Sequence, residues 1–457
     1  MTAPDRSGAV TGQGPRATRP RFADAQPASW TQVPRVPTVR CPARVDGSGL
    51  AILPERRSPV SPHKEIVIIG AGAIGCSIAY HLAKQGVASQ IIERESIAAR
   101  ASGKSWAVFA YPPRFLGLEG QPQELLFSMP VGSVSPWLDL IWLGYHRLPD
   151  IALELRETAG VDIGYGELGW IRVVLTEQQE EMYKGALTAQ RAQGHHEGYW
   201  MEACDLKSLF PEINPQVRGG MVFPYLQVEP YRYTLGLAQA AERRGVTIRN
   251  GDVVGLRRQG SRVTAALLAS GTEVTADVFV LATGPWSGRS ASWLGKTMPI
   301  LINREQCVRM EVPKGLPPYG LTAPNGLTII PKVGGDVILG HAGLADLQTS
   351  FDVNLTTEDA KMLLLSDALD LLPTLTEAML VEQRGDFEGW SPPPRRIQPV
   401  LGRLPEWDNV YIAARFGTLV MMMSLGTGRV MADLIIAGGR VPFRFKNMME
   451  VLRPAGP

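Results

Sequence analysis

The sequence predicts an α/β chain in which a layer of buried parallel strands and helices is interrupted by a strand-rich α+β unit. Three observations predict it. A strand, a glycine-rich turn, a helix, a second strand and an acidic residue follow one another over residues 65–94. A buried apolar strand ending in glycine returns at Asp277-Val-Phe-Val-Leu-Ala-Thr-Gly284. A third strand and a long helix return at Asn409–Ala414 and Gly426–Ile436. Strands separated by helical patterns indicate a parallel sheet, and the intervening strand-rich stretches are read as insertions into it.

Glu65-Ile-Val-Ile-Ile-Gly70 has the β-branched composition of a strand buried on both faces. Gly70-Ala-Gly72-Ala-Ile-Gly75 follows at once, and Cys76–Gln85 is a helix with Ile78, Ala79, Leu82 and Ala83 on one face. Ala88–Ile92 is the second strand, ending at Glu93. This is the Rossmann-like dinucleotide fingerprint, in which each glycine has a task. Gly70 permits the tight turn, Gly72 lets a pyrophosphate approach the backbone, and Gly75 lets the helix pack closely on the strand. The helix N-terminus, with its free N–H groups, completes an anion site. Glu93 stands 18 residues past Gly75, placed to accept from both ribose hydroxyls. An acid there favours FAD or NAD over NADP.

The chain has 457 residues, room for two or three domains, and 45% hydrophobic content, enough for a large core. A net charge of +2 gives no reason to propose nucleic acid or an anionic membrane as partner. Cys41, Cys76, Cys204 and Cys307 form no C-x-x-C pair and read as reduced thiols of a cytoplasmic protein. No run of 18 apolar residues stands out, so no membrane span is expected. Residues 1–62 are rich in Pro, Gly, Ser and Arg and lack apolar periodicity; they are expected to be a disordered tail.

Between the fingerprint and the returning strands, Arg100–Ala107 is a small-residue loop suited to close approach to a cofactor. Residues 111–149, with Trp137, Trp142 and Tyr145 as anchors, are expected to be a helical excursion covering the cofactor. Helices are expected at Pro149–Ala159, Glu177–Gln193, Asp205–Pro211 and Pro230–Gly245. Strands are expected at Gly169–Leu175, Gly220–Pro224, Gln227–Pro230 and Val246–Arg249, then as a meander over 253–275. The second insertion, 300–385, carries strands at Gln306–Glu311, Leu327–Pro331 and Asp336–Gly340 and a helix at Thr357–Leu372. The nucleotide-binding parts are thus 63–150, 231–299 and 386–457; the substrate parts are 151–230 and 300–385. No internal repeat is evident.

Residues 64–440 resemble the FAD-dependent oxidoreductases of the D-amino-acid oxidase, glycine oxidase and sarcosine oxidase superfamily. The resemblance rests on five segments: the fingerprint with Glu93-Arg94, the Arg100–Ala107 loop, Val228-Glu-Pro230, Ala282-Thr-Gly-Pro-Trp286, and the series Pro399–Arg403, Asn409–Ala414 and Thr427-Gly428. It implies a glutathione-reductase-like FAD-binding domain interrupted by the substrate domain, with FAD as cofactor and hydride transfer from a C–N bond to the flavin. It implies that Gly70, Gly72, Ala73, Ile74 and Gly75 hold the pyrophosphate, and Glu93 and Arg94 the adenosine ribose and its surroundings. Ala101, Ser102, Ser105, Trp106 and Ala107 would line the ribityl and flavin edge, and Val253 would meet the adenine. Thr283, Gly284 and Trp286 would close over the cofactor. Phe416, Gly417, Thr418, Leu419, Val420 and Met421, preceding the last helix, would present N–H groups to the flavin N1/O2 region.

The departures bear on the substrate. Glycine oxidases hold the substrate carboxylate with the Arg of a Gly-Leu-Arg-Pro run; here the run is Gly389-Trp-Ser391-Pro392. Thr328 stands where the family has a tyrosine. Arg395, Arg396 and Arg415 are the candidate replacements for the lost guanidinium. His341 is the candidate to position an amine or accept its proton. The lysine that sarcosine-type oxidases use toward oxygen is not evident: Ile338 stands there, with Lys332 further back, so oxygen or another electron acceptor remains open. Ala107 after Trp106 argues against a flavin linked through a Trp-His pair. The expected activity is oxidation of a small amine or amino-acid derivative to an imine. A flavin dehydrogenase of a 2-hydroxy acid, and a non-catalytic FAD-binding subunit of a larger complex, are the alternatives. Self-association is left open.

Overall fold

The computed structural model describes residues 65–111, 138–342, 344, 346–392 and 398–454. The expected tail 1–62, Trp137, Arg395 and Arg396 lie outside the described residues. In chain order the elements begin with β1 (Ile66–Ile69), α1 (Ala73–Lys84), β2 (Gln90–Glu93), α2 (Ala101–Lys104) and β3 (Val108–Ala110). Next come α3 (Leu138–Ala159), β4 (Gly166–Val174), α4 (Glu177–Ala192), β5 (Tyr199–Glu202), α5 (Ala203–Leu209) and β6 (Gly219–Gln227). They are followed by α6 (Pro230–Glu242), β7 (Thr247–Asn250), β8 (Val253–Gln259), β9 (Arg262–Leu268), β10 (Glu273–Thr275), β11 (Val278–Leu281) and α7 (Ser287–Ser292). Then come β12 (Leu301–Glu311), β13 (Tyr319–Thr322), β14 (Leu327–Pro331), β15 (Asp336–His341), β16 (Asp346–Gln348), α8 (Glu358–Leu371) and β17 (Met379–Trp390). The last are β18 (Val400–Arg403), β19 (Val410–Ala414), α9 (Val420–Ile436) and α10 (Lys446–Leu452).

The expected α/β architecture is present. A six-stranded sheet runs β18-β19-β11-β1-β2-β7, and each neighbouring pair is parallel except β18 on β19. Its central strands β1, β11 and β19 are buried along their whole length, as the continuous apolar runs require. The meander β8–β10 forms a separate three-stranded sheet. A ten-stranded sheet holds β16-β12-β15-β14-β13-β4-β6-β3, with β17 on the other edge of β12 and β5 on β6.

One face of the six-stranded sheet is covered by α1, which packs between α9 and α6, with α3 behind α9. These helices lie close because glycines remove side chains at their crossings. A Cβ on Gly428 would stand 2.2 Å from Ser77 Oγ, one on Gly426 2.3 Å from the Leu140 carbonyl, and one on Gly144 2.6 Å from the Met422 carbonyl. Among the described residues the stretch Gly417–Ile436 is long and apolar enough to span a membrane, and it is 83% buried in this core. Its hydrophobicity is that of a central helix, apolar all round.

Several boundaries differ from expectation, each for a tertiary reason. The helix expected to begin at Pro149 is the second half of α3, which continues through the proline; Leu148, Ile151 and Leu155 anchor it in the core. In its described part this segment packs on α9 and α6 and does not reach the cofactor groove described below. Helix α9 starts at Val420, so Val420 and Met421 form its first turn rather than preceding it, and α10 is the last helix. Strand β17 pairs with β12 all the way to Trp390, so the strand-rich layer extends past residue 385. Strand β3 also belongs to that layer, paired with β6. The helix expected at Thr357–Leu372 is α8, with Thr357 as its cap: the Thr357 hydroxyl accepts from the Ala360 N–H.

Candidate active site

The fingerprint turn is held by main-chain bonds. Gly70, at φ +110°, donates its N–H to the Ile92 carbonyl at 2.9 Å. A Cβ there would stand 2.5 Å from the Ala282 carbonyl, and one on Gly75 would stand 1.9 Å from the Gly70 carbonyl. Gly75 therefore lies behind the groove, fixing how closely α1 packs on the turn. Gly72 caps α1 without a side-chain bond, and a Cβ on it would meet within 4 Å only Ser102 Oγ, at 3.1 Å. Ser102 Oγ accepts from the Ala73 N–H at 2.9 Å. The result is an open, N–H-lined cradle at a helix N-terminus, suited to a pyrophosphate.

Glu93 is oriented by the backbone. Its Oε2 accepts from the Ala71 N–H at 2.7 Å and its Oε1 from the Glu95 N–H at 2.9 Å. Each oxygen keeps a further lone pair for a ribose hydroxyl. The Arg94 guanidinium lies 4.0 Å from the Trp286 ring centroid, and Trp286 stacks on Phe351 at 4.7 Å. Trp286 thus stands beside Arg94, near the ribose-binding end.

From this end a groove of about 1200 Å³, open solvent at its mouth included, runs between the two large sheets. Of the residues expected to hold cofactor, Gly70, Gly72, Ala73 and Ile74 line it from the fingerprint, and Glu93 and Arg94 from the end of β2. Ala101 and Ser102 line it from α2, Val253 from β8, and Thr283, Gly284 and Trp286 from the turn after β11. Arg415, Phe416, Gly417 and Val420 close the far end. Ser105, Trp106, Ala107, Thr418, Leu419 and Met421 do not line it themselves but lie close in the chain to residues that do. Leu419 and Met421 are 1% and 3% exposed, drawn into the core by the start of α9. The Trp106 ring lies against Gly340, where a Cβ would approach it to 2.1 Å. Sequence reading missed Arg100, Arg289, Phe387 and Glu388, which also line the groove. Arg100 opens the small-residue loop, and the sequence singled out the loop without its side chain. Phe387 and Glu388 arrive on β17, a strand without a β-branched run to announce it.

The donor set fits a flavin dinucleotide. Beyond the phosphate cradle and the ribose acid, Ser105 Oγ, Thr418 Oγ1 and Arg415 Nε are buried without a hydrogen-bond partner in or beside the loops bordering the far half of the groove. A polar ring system placed there is the group such orphans call for.

The candidate catalytic residues are placed differently from expectation. His341 faces away from the groove. Thr328 pairs with Gly340, which carries the Trp106 ring, so the next residue along β15 points to the opposite side of the sheet. There His341 Nε2 lies 3.2 Å from Asp367 Oδ2 on α8. Burial lowers its pKa below the usual 6.5, opposed by the Asp367 carboxylate. The unfolded chain therefore takes up a proton that the folded histidine resists, and stability falls as pH drops below 6.5. His341→Gln should leave turnover within about twofold of wild type and flatten that acid-side loss of stability; thermal melts at a series of pH values, beside steady-state rates, check both. Arg415 does border the groove, at φ +64°, but its Nη2 donates to the Pro299 carbonyl at 2.8 Å and burial lowers its pKa. Ser391 Oγ donates to the Gln398 carbonyl at 3.1 Å, and Thr328 Oγ1 lies 3.4 Å from Thr322 Oγ1.

The family model described as "FAD dependent oxidoreductase" (DAO) matches residues 65–434. The chain is 26% identical over 374 residues to a glycine oxidase of Geobacillus kaustophilus, covering 81% of this chain and 92% of that protein. It is 26% identical to a D-amino acid dehydrogenase of Xanthobacter autotrophicus, covering 82% and 96%, and 22% identical to the mitochondrial sarcosine dehydrogenase of mouse, covering 92% and 44%. Its fold matches the crystal structure of glycine oxidase from Bacillus cereus with a TM-score of 0.72 at 23% identity, over 86% of this chain and 99% of that one. With the cradle, the ribose acid and the family match spanning the same stretch, the chain belongs to the FAD-dependent oxidoreductases of the DAO family and is an enzyme with FAD as its cofactor.

Proposed function

We propose that the enzyme oxidises the C–N bond of a small amine or amino-acid derivative to an imine, and that its preferred substrate lacks an α-carboxylate or carries a bulky group beside it. The single observation that carries the first half is the set of relatives aligned over most of the chain, whose names are those of a glycine oxidase, a D-amino acid dehydrogenase and a sarcosine dehydrogenase. When bound, FAD would supply the hydride acceptor, the substrate C–H hydrogen leaving with its bonding electron pair, and the proton on the nitrogen would pass to solvent or a neighbouring base. The chain's own contribution is electrostatic and steric. The 3₁₀ turn Gly417–Leu419 and the start of α9 direct main-chain N–H groups and a partial positive charge toward the far end of the groove. From the ten-stranded sheet, Phe387, Glu388 and Gly389 on β17 line the groove.

The second half rests on the missing anchor. A buried carboxylate left unpaired costs several kcal/mol. Ser391 and Thr328 supply no charge, and of Arg415, the one candidate replacement among the described residues, Nη2 is engaged by the Pro299 carbonyl. Glycine, sarcosine and D-alanine should therefore be poor substrates. Anaerobic mixing with a panel of primary and N-alkyl amines, amino acids and 2-hydroxy acids tests the reading. Bleaching of the visible flavin band by amines, more slowly by glycine, is expected. Bleaching by hydroxy acids alone, or by nothing in the panel, overturns it.

A further inference from the structure

Lys332, just past β14, is 3% exposed, and its ammonium donates to two main-chain carbonyls, Val228 at 2.7 Å and Trp106 at 3.1 Å. The two acceptors belong to segments that also bond each other: the Val228 N–H donates to the Ala107 carbonyl at 3.1 Å. Ala107 sits at φ +52°, in the left-handed region. For a residue with a Cβ that conformation is unfavourable and persists only where surrounding contacts over-determine it. The Trp106 ring is seated in the notch left by Gly340. Trp106 is thus held twice, through its carbonyl by Lys332 and through its ring by β15.

The surroundings do not neutralise Lys332. Glu229, just before α6, and Asp336, at the start of β15, are both paired with Arg309 on β12. Arg384 on β17 adds positive charge. Desolvation outweighs the pull of Glu229, with Arg384 and Arg309 acting in the same direction as burial, and Lys332 is pushed down to about 8. Burying an ammonium against neutral carbonyls is a poor way to gain stability. It is an effective way to hold two carbonyls, and the turn between them, in one place.

We propose that Lys332 is the positioning residue of the cofactor loop, holding the left-handed turn at Ala107 so that the loop 101–107, whose Ala101 and Ser102 line the groove, keeps its place beside the flavin dinucleotide. The proposal rests on the reading that this loop borders the flavin, and is independent of the substrate.

The test uses the FAD-loaded enzyme with Lys332→Met, Lys332→Gln and Trp106→Phe, reading the visible flavin spectrum, FAD affinity and thermal stability of the apoprotein. Lys332→Met should melt at or above wild type, yet bind FAD about tenfold more weakly with a shifted spectrum. Lys332→Gln, which keeps an N–H donor, should recover part of the affinity. In wild type, FAD affinity should weaken as pH rises through about 8, because the neutral amine donates more weakly. The folding contribution of the same group runs the other way. The unfolded lysine holds its proton to 10.5 and the folded one releases it near 8, so apoprotein stability rises across that window. Both trends should vanish in Lys332→Met. A Lys332→Met enzyme with wild-type spectrum and affinity, while Trp106→Phe shifts the spectrum, overturns the role of Lys332. If both variants are silent, the loop does not border the flavin and the proposal falls with that reading. Should Lys332→Met fail to fold, a wild-type FAD affinity that is flat across pH 8 overturns it.

Discussion

A Gly72→Val enzyme should fold, purify without colour and resist reconstitution with FAD, whereas Gly75→Val should not fold. The two glycines lie in one motif and differ in what a side chain would meet. Gly72 has φ −76° and ψ 178°, a conformation open to any residue, and only Ser102 Oγ, at 3.1 Å, stands within reach of a Cβ. A valine there projects into the cradle and blocks the pyrophosphate from the N–H groups at the start of α1. Losing two charge-assisted hydrogen bonds at about 1.5 kcal/mol each corresponds to roughly a hundredfold in affinity. At Gly75 the Cβ would lie 1.9 Å from the Gly70 carbonyl, so β1 and α1 cannot both stay in place. Circular dichroism and thermal melts of the apoproteins, beside flavin absorbance after incubation with excess FAD, separate the outcomes. A folded Gly72→Val protein with full FAD occupancy would show that the pyrophosphate does not bind at this turn.

Gly426→Val should cost about 3 kcal/mol or more of stability. Its Cβ would stand 2.3 Å from the Leu140 carbonyl and 2.7 Å from the Leu140 Cα, so α3 and α9 must separate along their contact. The same separation strains the start of α9 at the far end of the groove, so FAD should also be held less tightly. Leu153→Ala, an exposed position on the same α3 at 56% exposure, should change stability by less than about 0.5 kcal/mol. Urea unfolding of the three proteins, followed by far-ultraviolet dichroism and by flavin release, provides the comparison. Equal midpoints for wild type and Gly426→Val would mean that the two helices are not in close register.

The adenosine half of the site was legible because its chemistry is local. Gly70, Gly72, Gly75 and Glu93 act within one strand–turn–helix–strand unit, and the spacing that sequence shows is the spacing the backbone needs. The far half was less legible because it is assembled from distant segments. Arg415, named as a candidate replacement for the lost guanidinium, lines the groove, and its Nη2 is engaged by the Pro299 carbonyl, a partner 116 residues away. His341 was the candidate to position an amine or accept its proton; a strand alternates with period two, and only the register with β14 decides which side a residue takes. Phe387 and Glu388 went unnamed because β17 is polar over much of its length and gains its strand character by pairing with β12.

Composition, periodicity and the fingerprint settled the fold class, the order of the interrupted layers and a dinucleotide cofactor, because each follows from contacts between residues near in the chain or from apolar runs that must be buried. Tertiary structure decided the rest. It fixed which face of β15 meets the Trp106 ring, that Arg415 Nη2 is engaged by the Pro299 carbonyl, and that α9 serves as a core helix whose first turn borders the groove. It also made Lys332, noted in the sequence only as lying before Ile338, a buried clamp on the Trp106 carbonyl. These depend on packing between segments far apart in the chain, where a one-residue shift in register reverses the direction of a side chain, and no local pattern encodes that shift.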